Sequence, residues 1–238
     1  GEGHGRGFKS SQPLLFGRVL GLLLFPLALS EEVPVDRVQA IVQPVEGDQS
    51  RLLLTVGATI VASDNAYVWK ASATGDQDDS QQLQVKSNGT NSNSRLAYLR
   101  FDVTGLTVTA TDRVTLDLNV EAVGTGNANT LNVWSLNNGV TGETTWNSSL
   151  TWNTRPDGTG NVPTANLASL ASYGYTSAGN ISVSIPTSTF QSLLGSDTNG
   201  QVTLVLSNNS SHDTAQTRFS ALGNIGGNLE PTLTVKAL

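Results

Sequence analysis

Five side chains in this sequence could bind a negatively charged sugar polymer. They are Lys86, Tyr98, Arg100, Arg113 and Trp134. A uronic acid polymer carries a carboxylate on each sugar, and a guanidinium group can bind a carboxylate through two parallel hydrogen bonds. An aromatic ring offers an apolar surface on which the C–H face of a pyranose ring can pack. These residue types could therefore line a groove for a ligand that carries carboxylates and sugar rings.

Alternating strands would position the groove. Between residues 96 and 103 apolar and polar side chains alternate, which is the period of a half-buried strand. Arg100 would lie on the polar side of this strand, close to Tyr98. Residues 114–120 repeat the pattern and leave Arg113 on the polar side of the next strand. The alternative is that both arginines form ordinary cross-strand ion pairs, with Asp102, Asp117 or Glu121 as partners.

The acidic loop 76–80 could hold a metal ion. Its carboxylates Asp76, Asp78 and Asp79 lie close together in sequence, and Ca²⁺ takes clustered carboxylate and carbonyl oxygens. The loop lacks the spacing and the closing Glu of a helix-loop-helix calcium site. A solvated acidic loop is therefore the alternative, and no other cofactor is predicted.

Catalysis has little support in the sequence. Ser211, His212 and Asp213 are consecutive, whereas a nucleophile, its base and the orienting acid must converge in space. The carboxylates show no spacing that separates acid–base catalysis from ordinary turns. We therefore expect a protein that is not an enzyme.

Composition indicates an all-β protein. The 238 residues include 24 Gly with many Ser, Thr and Asn, which favours short strands joined by polar turns. About nine short segments with a two-residue period suit an antiparallel β-sandwich, jelly-roll-like in connection. The net charge of −6 and the lack of a basic stripe argue against a nucleic-acid partner. The absence of Cys excludes disulfides and thiolate metal sites.

The chain is predicted to have three regions. Residues 1–30 resemble a secretory signal, in which basic residues flank an apolar run at 19–29. That run is too short to cross a bilayer, which needs about 20 residues. The alternative is a retained tail that contacts a neighbouring copy. Residues 31–57 are expected to be a linker or extra strand, with strand-like pieces at 37–42 and 51–56. Residues 58–238 are expected to form the β-sandwich domain, with this N-terminal extension before it.

Within the domain, residues 137–178 break the strand rhythm. A loop of this length in a compact domain is usually functional or has its own packing. The segment contains Trp152, which we expect to pack in a core because a large ring has much apolar area to bury.

Two boxes carry a resemblance to a known family. The segments 94–106 (SRLAYLRFDVTGL) and 149–156 (SLTWNTRP) resemble the DNRLRE domain family, and the similarity extends over residues 58–238. The resemblance implies an extracellular, jelly-roll-like fold in a family that includes carbohydrate-binding modules for acidic polysaccharides such as alginate. The acidic loop replaces the family's usual Asn-x-Gly motif, which bears on the ligand and not on the fold.

The sequence therefore predicts a secreted, non-catalytic β-sandwich at the cell surface that is adhesive or binds an acidic polysaccharide. The alternative is a structural subunit of a self-assembling extracellular filament or sheath, in which the N-terminal segment serves as a donor strand or tail. The partner would then be neighbouring copies in a homo-polymer. Neither hypothesis includes a nucleic-acid partner or a transmembrane span.

Overall fold

The computed structural model describes residues 38–42, 54–75, 82–86, 93–124, 129–160, 164–208, 216–223 and 229–238. Within these ranges twelve strands are hydrogen-bonded, each pair antiparallel, into one continuous sheet. The sheet folds over so that two layers of strands enclose an apolar interior. The predicted fold class, an antiparallel β-sandwich of jelly-roll-like form, is confirmed.

One layer, sheet I, has β6 at its centre. β6 (Asp112–Ala122) pairs on one side with β9 (Gly179–Ile185) and on the other with β12 (Thr232–Ala237). Beyond β12 follow β2 (Leu54–Val61) and then β1 (Val38–Val42).

The other layer, sheet II, has β5 and β10 at its centre. β5 (Arg95–Asp102) pairs with β3 (Asp64–Trp69) and with β10 (Gln201–Asn208). β10 then pairs with β7 (Asn129–Leu136), and β7 pairs with β8 (Leu167–Tyr175).

Two short strands join the layers at one end. β4 (Gln82–Lys86) and β11 (Gln216–Ser220) pair along their whole length. β11 also pairs with the end of β6, and Lys86 of β4 pairs with Arg95 at the start of β5. We call β4 and β11 the connecting ribbon.

The main core lies between the sheets and is built from the inward side chains of each strand. On β6 the inward side chains Val114, Leu116, Leu118 and Val120 are at most 3% exposed, whereas the polar residues between them are partly accessible. Leu99, Leu116 and Leu204 are fully buried, as the alternation predicts. Burial of one such side chain stabilises the fold by about 1.5–3 kcal/mol.

A single α-helix is found in the described ranges. α1 (Thr187–Ser196) begins directly after Pro186, which follows β9, and it buries Phe190 in the main core. A short 3-10 helix, Lys70–Ser72, follows β3.

The structure corrects the predicted long loop 137–178. Residues from Leu167 onward form β8, which pairs with β7 across a register shift. This strand was missed because its exposed positions carry Ala, Ser and Gly, so it has little of the apolar–polar contrast by which strands are found.

The N-terminal strand completes a sheet of its own chain. The predicted strand at 37–42 is confirmed at Val38–Val42, and it pairs with β2. β2 continues past Gly57 to Val61, farther than the piece predicted at 51–56. Residues 1–30 lie outside the described residues, and the prediction of self-assembly stays a prediction.

Candidate functional site

The outer face of sheet II is covered by residues 137–160, which we call the covering loop. Its side chains Trp146, Leu150 and Trp152 are at most 6% exposed. They pack on apolar residues that point outward from sheet II, forming a second core separate from the main one. The expectation that Trp152 is a core residue is confirmed.

Tyr98 lies at the centre of this second core and is fully buried. Its hydroxyl donates a hydrogen bond to Oδ1 of Asp157. The other carboxylate oxygen, Oδ2, accepts a hydrogen bond from Nη1 of Arg155 at 3.1 Å, and both side chains are completely buried. The Arg155 guanidinium lies 4.1 Å from the ring centroid of Trp152. A tyrosine held in this way has no surface to offer a sugar.

Burial dominates the electrostatics of this network. It raises the pKa of the Tyr98 hydroxyl well above its usual value of 10.0, and the neighbouring Asp157 raises it further. Burial also raises the pKa of Asp157 above 3.8, although Arg155 and the Tyr98 hydroxyl oppose this. The Arg155–Asp157 pair therefore has a structural role, which is to hold the covering loop on sheet II.

Arg100 fixes the other part of the covering loop. Its Nη2 lies 2.8 Å from Oδ2 of Asp64, and its Nη1 donates to the carbonyl oxygens of Trp146 at 2.6 Å and Thr144 at 3.1 Å. The guanidinium lies 5.0 Å from the Trp146 ring centroid. Its observed ion-pair partner is thus Asp64 on neighbouring β3, and none of the three carboxylates considered from the sequence.

The predicted groove of Tyr98, Arg100 and Arg113 is therefore wrong. Tyr98 and Arg100 lie under the covering loop on sheet II. Arg113 is exposed on the outer face of sheet I, paired across strands with Lys236. The prediction failed because two strands with similar alternation belong to opposite layers, whose outer faces point away from each other.

Trp134 lies on β7 at the margin of the second core. Its Nε1 donates to Oγ of Ser207 at 2.9 Å, and its ring is half-buried. A part of the ring remains accessible, so the prediction that it contacts a ligand stays a prediction.

Lys86 belongs to a polar cluster that sequence reasoning did not assemble. Cross-strand pairing places Trp69 beside Arg95, Arg95 beside Lys86, and Lys86 beside Gln216. Two residues further along the connecting ribbon, Arg218 pairs with Gln84. We call these six residues the basic rim.

Contacts between side chains hold the basic rim together. The Arg95 guanidinium lies 4.6 Å from the Trp69 ring centroid, and its Nη1 donates to Oε1 of Gln216. Nε2 of Gln216 in turn donates to Oε1 of Gln84 at 2.7 Å. Within the described ranges neither Lys86 nor Arg218 forms an ion pair or side-chain hydrogen bond.

Arg95 is a cation held in a partly buried position. Burial lowers its pKa, and the nearby Tyr67 opposes this change. Its Nε is buried with no hydrogen-bond partner, as is Nε1 of Trp69. An anion at this position would compensate a charge that the described residues leave without a carboxylate.

The outer face of sheet I is open and polar. Asp117 at its centre accepts hydrogen bonds from the hydroxyls of Thr234 at 2.8 Å, Thr115 at 3.2 Å and Ser182. Nearby, Nδ2 of Asn119 donates to Oγ of Ser220 at 2.8 Å. In the described ranges this face has no covering loop.

Other candidate chemistry finds little support in the described residues. No group of three or more His, Cys, Asp or Glu side chains with the geometry of a metal site occurs among them. The predicted Ca²⁺ site at Asp76, Asp78 and Asp79 lies outside the described residues, as does His212. The carboxylate of Glu143 accepts a hydrogen bond from the backbone N–H of Gly139 at 3.0 Å, within the covering loop.

Comparison with known families identifies the class of protein. Residues 57–236 match the model of carbohydrate-binding module family 96. The match spans most of the chain and runs from within β2 to within β12, so the chain belongs to this family of carbohydrate-binding modules. No curated protein matches the chain. No helix among the described residues has the length and apolar character needed to span a membrane.

Proposed function

We propose that this carbohydrate-binding module binds an acidic polysaccharide, and that the basic rim contacts the carboxylates of the ligand. One observation carries the proposal. Arg95, Lys86 and Arg218 lie on one surface without a carboxylate partner among the described residues, in a chain whose net charge is −6. Elsewhere, Arg100 and Arg155 are occupied by ion pairs that fix the covering loop.

The rim has the chemistry that a uronate requires. Trp69 and Gln216 hold Arg95 in a fixed position, so little side-chain entropy is lost when it binds. Lys86 and Arg218 are diagonal neighbours on paired strands, about 7–8 Å apart. Both can therefore reach one oligosaccharide. The amides of Gln84 and Gln216 can exchange hydrogen bonds with its hydroxyl groups.

The two remaining predicted contacts lie elsewhere. Arg113 is nine residues from the ribbon end of β6, about 30 Å along the strand. Trp134 is on sheet II. We propose Arg113 and Trp134 only as further contacts of a long polymer. We also propose that the protein acts outside the cell, because residues 1–30 resemble a secretory signal.

Retention on immobilised alginate and pectate tests the proposal. We expect the unchanged protein to be retained at low salt and released as NaCl screens the charges. Lys86→Ala with Arg218→Ala should abolish retention. The matched control is Arg113→Ala with Lys236→Ala, which removes two charges from the opposite end of sheet I and should reduce retention much less than the rim pair does. Trp134→Ala tests the accessible ring in the same way.

Two outcomes would contradict the proposal. If neither gel retains the unchanged protein, the ligand is not an acidic polysaccharide of this kind. If the control pair loses retention while the rim pair keeps it, the carboxylates bind at the Arg113 end. Circular dichroism of each variant separates loss of binding from loss of fold.

A further inference from the structure

A groove of about 250 Å³ lies on the open face of sheet I, between β6, β9 and the segment that leads into β12. Its volume is just below the range of about 300–1,000 Å³ that is usual for small-molecule sites. The groove is therefore suited to one or two sugar rings, and not to a long segment of chain. It is separate from the basic rim, since none of its lining residues belongs to the rim.

The polar groups that line the groove are held in place before any ligand binds. Three hydroxyls fix the carboxylate of Asp117 from β12, β6 and β9. Asn119 is held through its Nδ2 by Ser220, which leaves its Oδ1 as an acceptor. Glu230 is held through Oε1 by the backbone N–H of Gly223 at 2.8 Å, which leaves Oε2.

Other polar groups in the groove keep their hydrogen-bonding capacity. Among the described residues, Asn180 and Thr232 form no side-chain hydrogen bond. Asn180 is exposed and contributes an amide with both a donor and an acceptor. Sugar hydroxyls also donate and accept, so they match such a surface group by group.

The charge of the groove selects against acidic sugars. Asp117 and Glu230 are its charged lining residues, and no cationic side chain is among the nine residues that line it. A uronate carboxylate would meet two like charges here, whereas a neutral sugar can donate its hydroxyl protons to the same carboxylates. Leu229 is half-buried and adds apolar surface for the C–H groups of a ring, whereas Leu118 and Ile181 are buried in the main core.

We infer that this groove is a second binding site, which takes one or two residues of a neutral sugar. The module would then carry two sites of opposite preference, one for acidic polymers on the rim and one for neutral sugars on sheet I. The inference does not rest on the proposed function of the rim.

An NMR titration of the ¹⁵N-labelled full chain tests the inference. The protein is produced without glycosylation, because Asn180 begins an Asn-Ile-Ser sequon. The probes are the methyl glycosides of glucose, galactose, mannose and N-acetylglucosamine at up to about 10 mM, which detects a Kd in the millimolar range. At least one should shift the amide resonances of residues 117–119, 180–182 and 230–232. A hexauronate should leave these resonances in place, whether or not it shifts those of the rim.

A substitution locates the site. Asn180→Ala removes an exposed amide and should weaken the response at least tenfold. Ser184→Ala changes the same strand on the same exposed face but outside the groove, and should bind as the unchanged protein does. The inference is overturned if no glycoside shifts the groove resonances, or if Asn180→Ala binds as tightly as Ser184→Ala. A shift caused by CaCl₂ and by none of the sugars would also overturn it, in favour of a cation site.

Discussion

The two outer faces of the sandwich differ, because one is covered by a loop and the other is open. Sheet II is covered on its outside by the covering loop, which builds a second core around Tyr98. Sheet I is open on its outside and presents hydroxyls, amides and the carboxylate of Asp117. The outer face of sheet II therefore contributes to stability, whereas the outer face of sheet I remains accessible.

The difference originates in the outward positions of the strands. On β3, β5 and β10 these include Val68, Leu96 and Val205, which are at most 4% exposed. On β6 and β9 the corresponding positions carry Thr115, Asp117 or Ser182. Since burial yields about 25 cal/mol per Å² of apolar surface, the covering loop gains stability only over sheet II. The polar face of sheet I has no comparable apolar area that such a loop could bury.

The largest expected effect comes from removing a ring of the covering loop. Trp146→Ala should lower the free energy of unfolding by about 3–5 kcal/mol, because it opens a cavity in the second core and breaks the 2.9 Å hydrogen bond from Nε1 to Oγ1 of Thr203. Urea unfolding measures this loss. Trp134→Ala is the control, and its half-exposed ring should cost clearly less. Equal losses would mean that the second core does not stabilise the loop.

A smaller loss of stability is expected when the Tyr98 hydroxyl is removed. Tyr98→Phe should destabilise the protein by about 1–3 kcal/mol, since the buried Asp157 loses a donor. Tyr175→Phe, in the main core, removes a hydroxyl that donates to the neutral Oγ1 of Thr217 at 2.6 Å. It should cost less, because hydrogen bonds to charged groups are the stronger ones. The reverse order would contradict the role given to Asp157.

The pH dependence of stability gives a third test of the loop. Burial raises the pKa of Glu143 above its ordinary 4.5, with Asp197 adding to the rise and Gly139 and Asn199 opposing it. Burial also raises the pKa of Asp157. The folded state then binds these protons more tightly than the unfolded state does. Their contribution is fully present below the ordinary pKa and is lost as the pH rises through the folded pKa.

We therefore expect this part of the stability to fall as the pH rises above the ordinary pKa values of 3.8 for Asp157 and 4.5 for Glu143. Urea unfolding at several pH values measures the slope. Glu143→Gln cannot titrate and should flatten it. A slope in the unchanged protein that becomes steeper on this substitution would contradict the assignment.

The smallest effect is expected on the open face. Ser184→Ala should change the free energy of unfolding by no more than about 0.5 kcal/mol, because the residue is exposed and has no described hydrogen-bond partner to lose. A loss of 2 kcal/mol or more, on the scale of about 1–3 kcal/mol that marks buried contacts, would show that sheet I is covered in solution. That result would remove the contrast between the faces.

Much of the fold could be predicted from the sequence. The alternation in β5 and β6 correctly placed Leu99 and Leu116 in the main core. A signal for the second core was also present, because residues 96–99 of β5 are Leu, Ala, Tyr and Leu, so the position between the apolar side chains carries an aromatic ring and no charge. Continuous apolar runs are typical of strands buried on both faces. That signal would have placed Tyr98 in a core and not in a groove.

The candidate sites were less predictable. Lys86 and Gln216 are 130 residues apart in the chain and become neighbours only because β4 pairs with β11. The groove on sheet I likewise depends on β9 lying beside β6. Pairing over such distances follows from how the layers close, and the local period of a strand carries no information about its partner.

The sequence alone determined that this protein is an all-β sandwich, because a two-residue period decides which side chains of each strand must leave water. It also carries the match to carbohydrate-binding module family 96 over residues 57–236, while the resemblance to the DNRLRE family stays a prediction. Only the tertiary structure decided which outer face is covered, which cations are bound by carboxylates and which remain available. Those outcomes depend on contacts between segments far apart in sequence, whose apolar area and charge compensation exist only after the two sheets have closed.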